Sequence, residues 1–364
     1  MIGTALLLFS TAAAAAPPAA AVWPVFRGNP LQTGVASSRL PDDLKVLWTF
    51  NAGEGGVEGG AAVADGVVYV GAIDEYLYAI DLATGTQKWK YKAGSMKAAP
   101  AVRGNSVYVG DAEGVFHCVS ADKGERRWTF QTQGEITSGA NFAGDAILFA
   151  SHDETLYCLN PDGKLKWKFK TEGPVYGSLT VADGKTFVAG CDSQLHVLDL
   201  GKGTQLKTVD LGGQSGATSA VTGDHLYVGT MTNQFLAIDL KKDELGWTFE
   251  PKRAREFYAS PAVTDALVIA GNRDRRIYAL DRKTGQEKWS FLTADRIDAS
   301  PIVAGDRVYA PSMDGKLYVL DLTTGRQQQK IPLNAAIAAS PAVAGDRLIV
   351  ATLKGTVYCL GAKK

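Results

Sequence analysis

Residues 299–331 read ASPIVAGDRVYAPSMDGKLYVLDLTTGRQQQKI, four short runs of apolar and β-forming residues punctuated by Gly-Asp, Asp-Gly and Thr-Thr-Gly. Apolar residues alternating with a period of two between turn-forming residues are the pattern of β-strands joined by tight hairpins. The stretch therefore predicts one four-stranded antiparallel sheet. The same unit recurs in both directions. The segments AIDLATG, CVSADKG, CLNPDG, VLDLGKG, AIDLKKD, ALDRKTG and VLDLTTG align at Asp81, Ser120, Asn160, Asp199, Asp239, Asp281 and Asp321, spaced 39 to 42 residues apart. An eighth copy starts at Ser340 and lacks its last segment, and KVLWTF at 45–50 matches the missing piece. A single such sheet cannot bury both faces, whereas eight packed radially can. The expected fold is all-β, an eight-bladed β-propeller of four-stranded blades, with the strand at 45–50 closing the ring as the outer strand of the last blade.

Composition agrees. The 364 residues are 46% apolar and 21% charged, which excludes a disordered chain, and the 40 glycines belong to many short turns. Lys and Arg number 38 against 38 Asp and Glu, so no overall field attracts nucleic acid or an anionic membrane. Cys118, Cys158, Cys191 and Cys359 show no metal or dithiol spacing. The apolar run TALLLFSTAAAAA at 4–16, with Ala19 and Ala21 before Val22, reads as a signal peptide over 1–21 and predicts a periplasmic or extracellular protein. It is too short to span a membrane, so no transmembrane segment is expected in the mature chain. The chain then divides into an N-terminal extension, 22–44, and the propeller, 45–364.

One outer-strand slot holds Trp48, Trp89, Trp128, Trp167, Trp247 and Trp289, with Lys207 and Gln329 in the two remaining repeats. A large ring at one place per blade fills the space between wedge-shaped neighbours, so these tryptophans are assigned to structural docking. Two segments, Ala79 to Trp89 (AIDLATGTQKW) and Ala279 to Trp289 (ALDRKTGQEKW), resemble the docking repeat of the pyrroloquinoline-quinone-like (PQQ-like) propellers. The segment WPVFRG from Trp23, followed by Thr33-Gly34, is similar to the entry sequence of exported members, the BamB-type outer-membrane assembly factors among them. That resemblance implies an eight-bladed propeller and leaves two branches. Quinoprotein dehydrogenases carry the quinone with calcium, beneath an adjacent-cysteine disulfide and among long insertions. This chain has no Cys-Cys pair and nearly bare repeats. The other branch is non-catalytic and binds envelope proteins.

Most polar residues explain themselves as repeat positions. His117 and His196 stand in the slot of Tyr78, Tyr157, Tyr278, Tyr318 and Tyr358, and His225 in a turn slot. Asp74, Glu113, Asp153, Asp192, Asn233, Asp274 and Asp314 share a slot four residues before the aromatic, which points to turn chemistry. His152 beside Asp153 and Glu154 reads as a solvated loop. The departures carry more. Loops entering each blade and loops joining strands two and three emerge on one face. There the sixth repeat carries Lys252, Arg253, Arg255, Glu256, Arg273, Asp274, Arg275 and Arg276. The first four carry Glu54, Glu58, Asp74, Glu75, Asp111, Glu113, Glu135, Asp153, Glu154, Glu172 and Asp192. Arg253, Arg255, Phe257, Tyr258, Arg273, Arg275 and Arg276 are therefore the candidate partner- or ligand-binding residues, Arg being suited to bidentate carboxylate or phosphate contacts.

The expected function is an exported, non-catalytic, monomeric scaffold that binds a protein partner or small ligand in the cell envelope. No catalytic residues, metal, cofactor or nucleic acid are expected. The alternatives are a quinone- and calcium-dependent oxidoreductase and, more weakly, a carbohydrate-binding accessory protein.

Overall fold

The structure is a computed structural model that describes residues 22–363; the segment read as a signal peptide, 1–21, lies outside the described residues. Eight sheets follow one another around a ring, seven of four strands and one of five. In the seventh blade Ile302–Ala304, Arg307–Pro311, Lys316–Asp321 and Gln327–Pro332 reproduce the four runs read from the sequence. The three inner strands of each blade are largely buried, because both faces of the sheet pack against neighbouring blades. Lys45–Asn51 pairs antiparallel with Thr356–Gly361, from Lys45 opposite Gly361 to Asn51 opposite Thr356, and completes the eighth blade. The fifth strand was not anticipated: Val35–Ala36 lies parallel to Ile302–Ala304 as an extra innermost strand of blade seven.

The docking tryptophans join consecutive blades in two ways. Each indole Nε1 donates to a carbonyl of the next blade, at 2.9–3.0 Å, as from Trp48 to Leu82 and from Trp289 to Leu322. Each ring also lies on the turn glycine of that blade (Gly85, Gly124, Gly163, Gly203, Gly285 or Gly325), where a Cβ would stand only 2.4–2.6 Å from the indole. Those glycines have φ between +69° and +81°, so both the turn and the ring require them. On its own sheet each tryptophan faces Ala79, Ala237, Ala279, Cys118, Cys158 or Cys359 across the strand pair. The cysteines are thus small residues that make room for indole, and burial raises the thiol pKa of Cys158 and Cys359 to about 11.

The two slots without tryptophan follow from their neighbours. Lys207 faces the larger Val197, and its ammonium pairs with Asp243, which takes the turn glycine's place in blade five with φ +58°. Gln329 faces Val319 and holds the backbone of Leu44 through Nε2 (2.8 Å) and Oε1 (3.1 Å), because the eighth blade is built from both chain ends and has no turn there.

A relay of hydroxyls lines the axis. The amides of Gly139, Ser178, Thr218, Ser260 and Ser300 donate to the side-chain oxygens of Ser178, Thr218, Ser260, Ser300 and Ser340, each one blade on, at 2.8–3.1 Å. Below it the N-terminal extension touches every blade in order. Trp23 bonds Val63; the carbonyls of Pro24, Pro30, Leu31, Thr33 and Gly34 accept from Val102, Val181, Val221, Val263 and Val303. Asn141 bonds Pro30 and Ser38 bonds Gly345 to complete the circuit. The extension therefore closes the channel at the end away from the blade-entry loops. Arg27 is wholly buried there. Its guanidinium donates to the carbonyls of Pro261, Ser300 and Pro301, and desolvation lowers its pKa to about 9, which leaves it charged at neutral pH.

Candidate functional site

The strand order puts the blade-entry loops and the loops between strands two and three on one face, around the open end of the channel. In those second loops a left-handed backbone position recurs. Blades two, seven and eight place Gly114, Gly315 and Gly355 there; blades one, three and six place Glu75 (φ +72°), Glu154 (+66°) and Arg275 (+76°). A long charged side chain at a position that favours glycine costs backbone energy and projects its charge from the face.

Arg253, Arg255, Arg273, Arg275 and Arg296 line one groove of about 570 Å³ with Asp274 and Asp295. Arg276 lies in the adjoining groove of about 340 Å³, with Lys252 and Glu287, and donates to the Ser290 hydroxyl. Arg273 and Arg296 are committed elsewhere, both binding Asp298, at 2.8 and 2.9 Å. Among the described residues Arg253, Arg255, Arg275 and Arg276 form no ion pair. Asp274 shares the groove and offsets part of their charge, but its Oδ2 accepts the Tyr278 hydroxyl at 2.5 Å and its Oδ1 the Arg276 amide, so it makes no ion pair with them.

One residue of the expected set is corrected. Phe257 is 0% exposed and packs edge-on against Phe235 and Phe249, so it is core and unavailable to a ligand. Its neighbour Tyr258 is 39% exposed, with the Arg273 guanidinium 4.3 Å above its ring.

The acidic half of the face is thinner than its sequence count. Asp74 and Asp153 accept the hydroxyls of Tyr78 and Tyr157, and Asp192 bonds His196 Nε2 at 2.7 Å. His117 Nε2 makes the same contact with Asp111 at 2.7 Å. Burial opposes the Asp111 charge, but the bonds from His117 and from the Val115 and Gly94 amides outweigh it and lower that pKa. These four carboxylates serve the turn and its aromatic; His117 and His196 replace the tyrosine hydroxyl. His225 opens a strand, half-buried against Tyr227, and is not an exposed turn residue. Glu54, Glu58, Glu113 and Glu172 remain without an ion pair among the described residues.

The arginine groove runs into an axial cup of about 620 Å³ at the channel mouth. Its wall is one repeat slot, two residues before the hydroxyl relay: Glu58, Lys97, Thr137, Tyr176, Gly216, Tyr258, Asp298 and Ala338. Of these only Glu58 and Tyr258 were singled out from the sequence. The signal was present as a column of the repeat whose residue types vary from blade to blade, from Glu58 and Lys97 to Gly216 and Tyr258. His152, expected to be a solvated loop residue, also faces the cup. Its Nε2 lies 2.9 Å from the Thr137 hydroxyl and its ring 4.5 Å from that of Tyr176; burial lowers its pKa. Beneath is a narrower compartment of about 130 Å³ walled by glycine and serine, with Phe26 among its lining. Among the described residues no helix is long and apolar enough to cross a membrane.

The family model described as outer membrane protein assembly factor BamB matches residues 39–141, 113–210 and 192–364. No curated protein matches the chain. Among solved structures, BamB from Moraxella catarrhalis superposes with a TM-score of 0.76 at 18% identity, over 88% of this chain and 98% of that one. The quinohemoprotein alcohol dehydrogenase of Comamonas testosteroni superposes with 0.80 at 15% identity, over 94% and 81%. The computationally designed protein Ika8 gives 0.76 at 17%, over 87% and 100%. At these identities the structural likenesses establish the propeller fold.

Proposed function

Because the chain belongs to the family of the outer membrane protein assembly factor BamB, we propose that it is an exported, non-catalytic scaffold of the cell envelope that holds a protein partner on its loop-bearing face. The observation that carries this reading is the set of unpaired guanidiniums of Arg253, Arg255 and Arg275 around one groove. The groove carries more guanidiniums than the carboxylates of Asp274 and Asp295 offset, which raises the energy of the free protein, and an acidic segment of a partner relieves that repulsion through bidentate contacts. The blades carry little beyond their hairpins, which suits a docking platform. The apolar run at 4–16 and the family support export.

The quinone reading finds a poor fit in the cup. A quinone held with a divalent cation calls for convergent carboxylates and free cationic groups. Among the described residues no group of three metal-ligating side chains converges, and Arg273 and Arg296 are already held by Asp298.

Affinity purification from the native envelope, comparing the wild type with an Arg253→Ser, Arg255→Ser, Arg275→Ser variant, tests the proposal. Arg273 is left intact because its loss would also free Asp298. A partner recovered with the wild type and lost with the variant supports the reading; an unchanged set of partners overturns it.

A further inference from the structure

We propose that the axial cup is a binding site for a neutral pyranoside, distinct from the arginine groove in the chemistry it selects. The cup is open only toward the loop-bearing face, since residues 23–38 bond to all eight blades and close the channel below. Its volume of about 620 Å³ lies within the ~300–1,000 Å³ common for small-molecule sites.

One side of the wall is aromatic. Tyr176 and Tyr258 come from blades four and six, and Gly216 of blade five stands between them. A Cβ at residue 216 would lie 3.7 Å from Tyr258 Cε2 and 3.9 Å from Tyr176 Cβ. The Met231 methyl, 2.7 Å from that same point, fills the space a side chain would take, so the bare glycine leaves the two tyrosines as neighbours along one wall. Such a wall takes a flat, partly apolar face, as the C–H face of a pyranose presents. Elsewhere the wall is ionic but balanced: Glu58, Glu135 and Asp298 against Lys97, Arg273 and Arg296. Lys97 pairs with Glu135 at 3.0 Å, and Asp298 takes both guanidiniums. The formal charges of the wall sum to zero, Glu58, which has no ion pair among the described residues, being offset by the second guanidinium on Asp298, so the cup gives no net advantage to a free anion or cation. Their unused lone pairs and N–H groups, with the Thr137 hydroxyl, instead offer side-by-side acceptors and donors that match vicinal hydroxyls. A ring with one apolar face and a polar edge satisfies both walls at once.

Saturation-transfer NMR and calorimetry with methyl glucosides, methyl galactosides, N-acetylglucosamine, maltose and cellobiose test the assignment, with benzoate and naphthoate as charged aromatic competitors. Gly216→Val crowds the wall between the two tyrosines. Residue 216 has ordinary φ, and its nearest obstacle is the flexible end of Met231, so the fold survives; Tyr258→Ala, at a half-exposed site, is a second variant independent of that packing. At least one saccharide should bind, weakened tenfold or more by either variant while thermal unfolding is retained. Absence of binding by every saccharide overturns the proposal, as does binding unchanged in both variants or displacement by the aromatic acids. Loss of partner capture in the arginine variant leaves saccharide binding intact, so the two readings fail separately.

Discussion

At the residue scale, two classes of glycine share a left-handed backbone and differ in what surrounds them. Gly104 has φ +55° with nothing within 4 Å of a built Cβ, whereas at Gly124 (φ +72°) the Cβ would meet the Trp89 ring at 2.6 Å. Gly104→Ala therefore carries only the backbone cost, about 1 kcal/mol. Gly124→Ala adds displacement of an indole whose Nε1 is bonded to the Ala121 carbonyl, and should cost about 3 kcal/mol in all. Urea unfolding of the two variants checks the contrast; equal losses would mean that the indole does not rest on the turn. The repeated Asp and its Tyr or His form another residue-level unit. The sequence identified Asp74 and Asp153 as turn formers from their period, but the phenol that each accepts was invisible, because nothing in a linear repeat says that residue four onward folds back to the same carboxylate.

At the scale of the element, blade-to-blade docking behaves as a matched set: ring on the outer strand, small residue across the ladder, glycine in the next turn. Blade four breaks all three together, with Lys207, Val197 and Asp243. The Lys207–Asp243 pair is partly exposed and contributes roughly 1 kcal/mol or less, so shape complementarity carries this junction. Lys207→Trp alone should destabilise by about 1–3 kcal/mol, since the ring meets Val197 and a turn that offers no glycine to lie on. Adding Val197→Ala and Asp243→Gly rebuilds the set and should recover most of that loss. A denaturation cycle over the single, paired and triple variants measures the coupling. Strict additivity would show that the three positions do not form a unit.

At the scale of the whole molecule, the ring, its blade count and its closure by the strand at 45–50 were legible, because a forty-residue period repeats the same physical problem eight times. The extension was not. WPVFRG occurs once, and its job depends on surfaces that exist only after the ring has formed: Gly28 makes room for the Trp23 ring, and Gly34 for the Arg27 guanidinium. The cup was half legible, since its charged and aromatic wall is a column of the repeat but its floor is that same extension. Arg27 then sets how the molecule holds together. It has no carboxylate partner, yet its planar fork satisfies carbonyls of blades six and seven from inside the ring. Removing it relieves a desolvated charge but strands buried carbonyl oxygens, at about 1–3 kcal/mol each, so the loss wins. Arg27→Met should therefore lower stability by about 2–4 kcal/mol, and Arg27→Lys should rescue little, because one ammonium cannot reproduce the fork. If the extension acts as a single clasp, amide exchange at Val63, Val102, Val181, Val221, Val263 and Val303 rises together in Arg27→Met, while strands two and three of each blade keep their protection. Faster exchange confined to Val263 and Val303 would reduce Arg27 to a local tie between two blades.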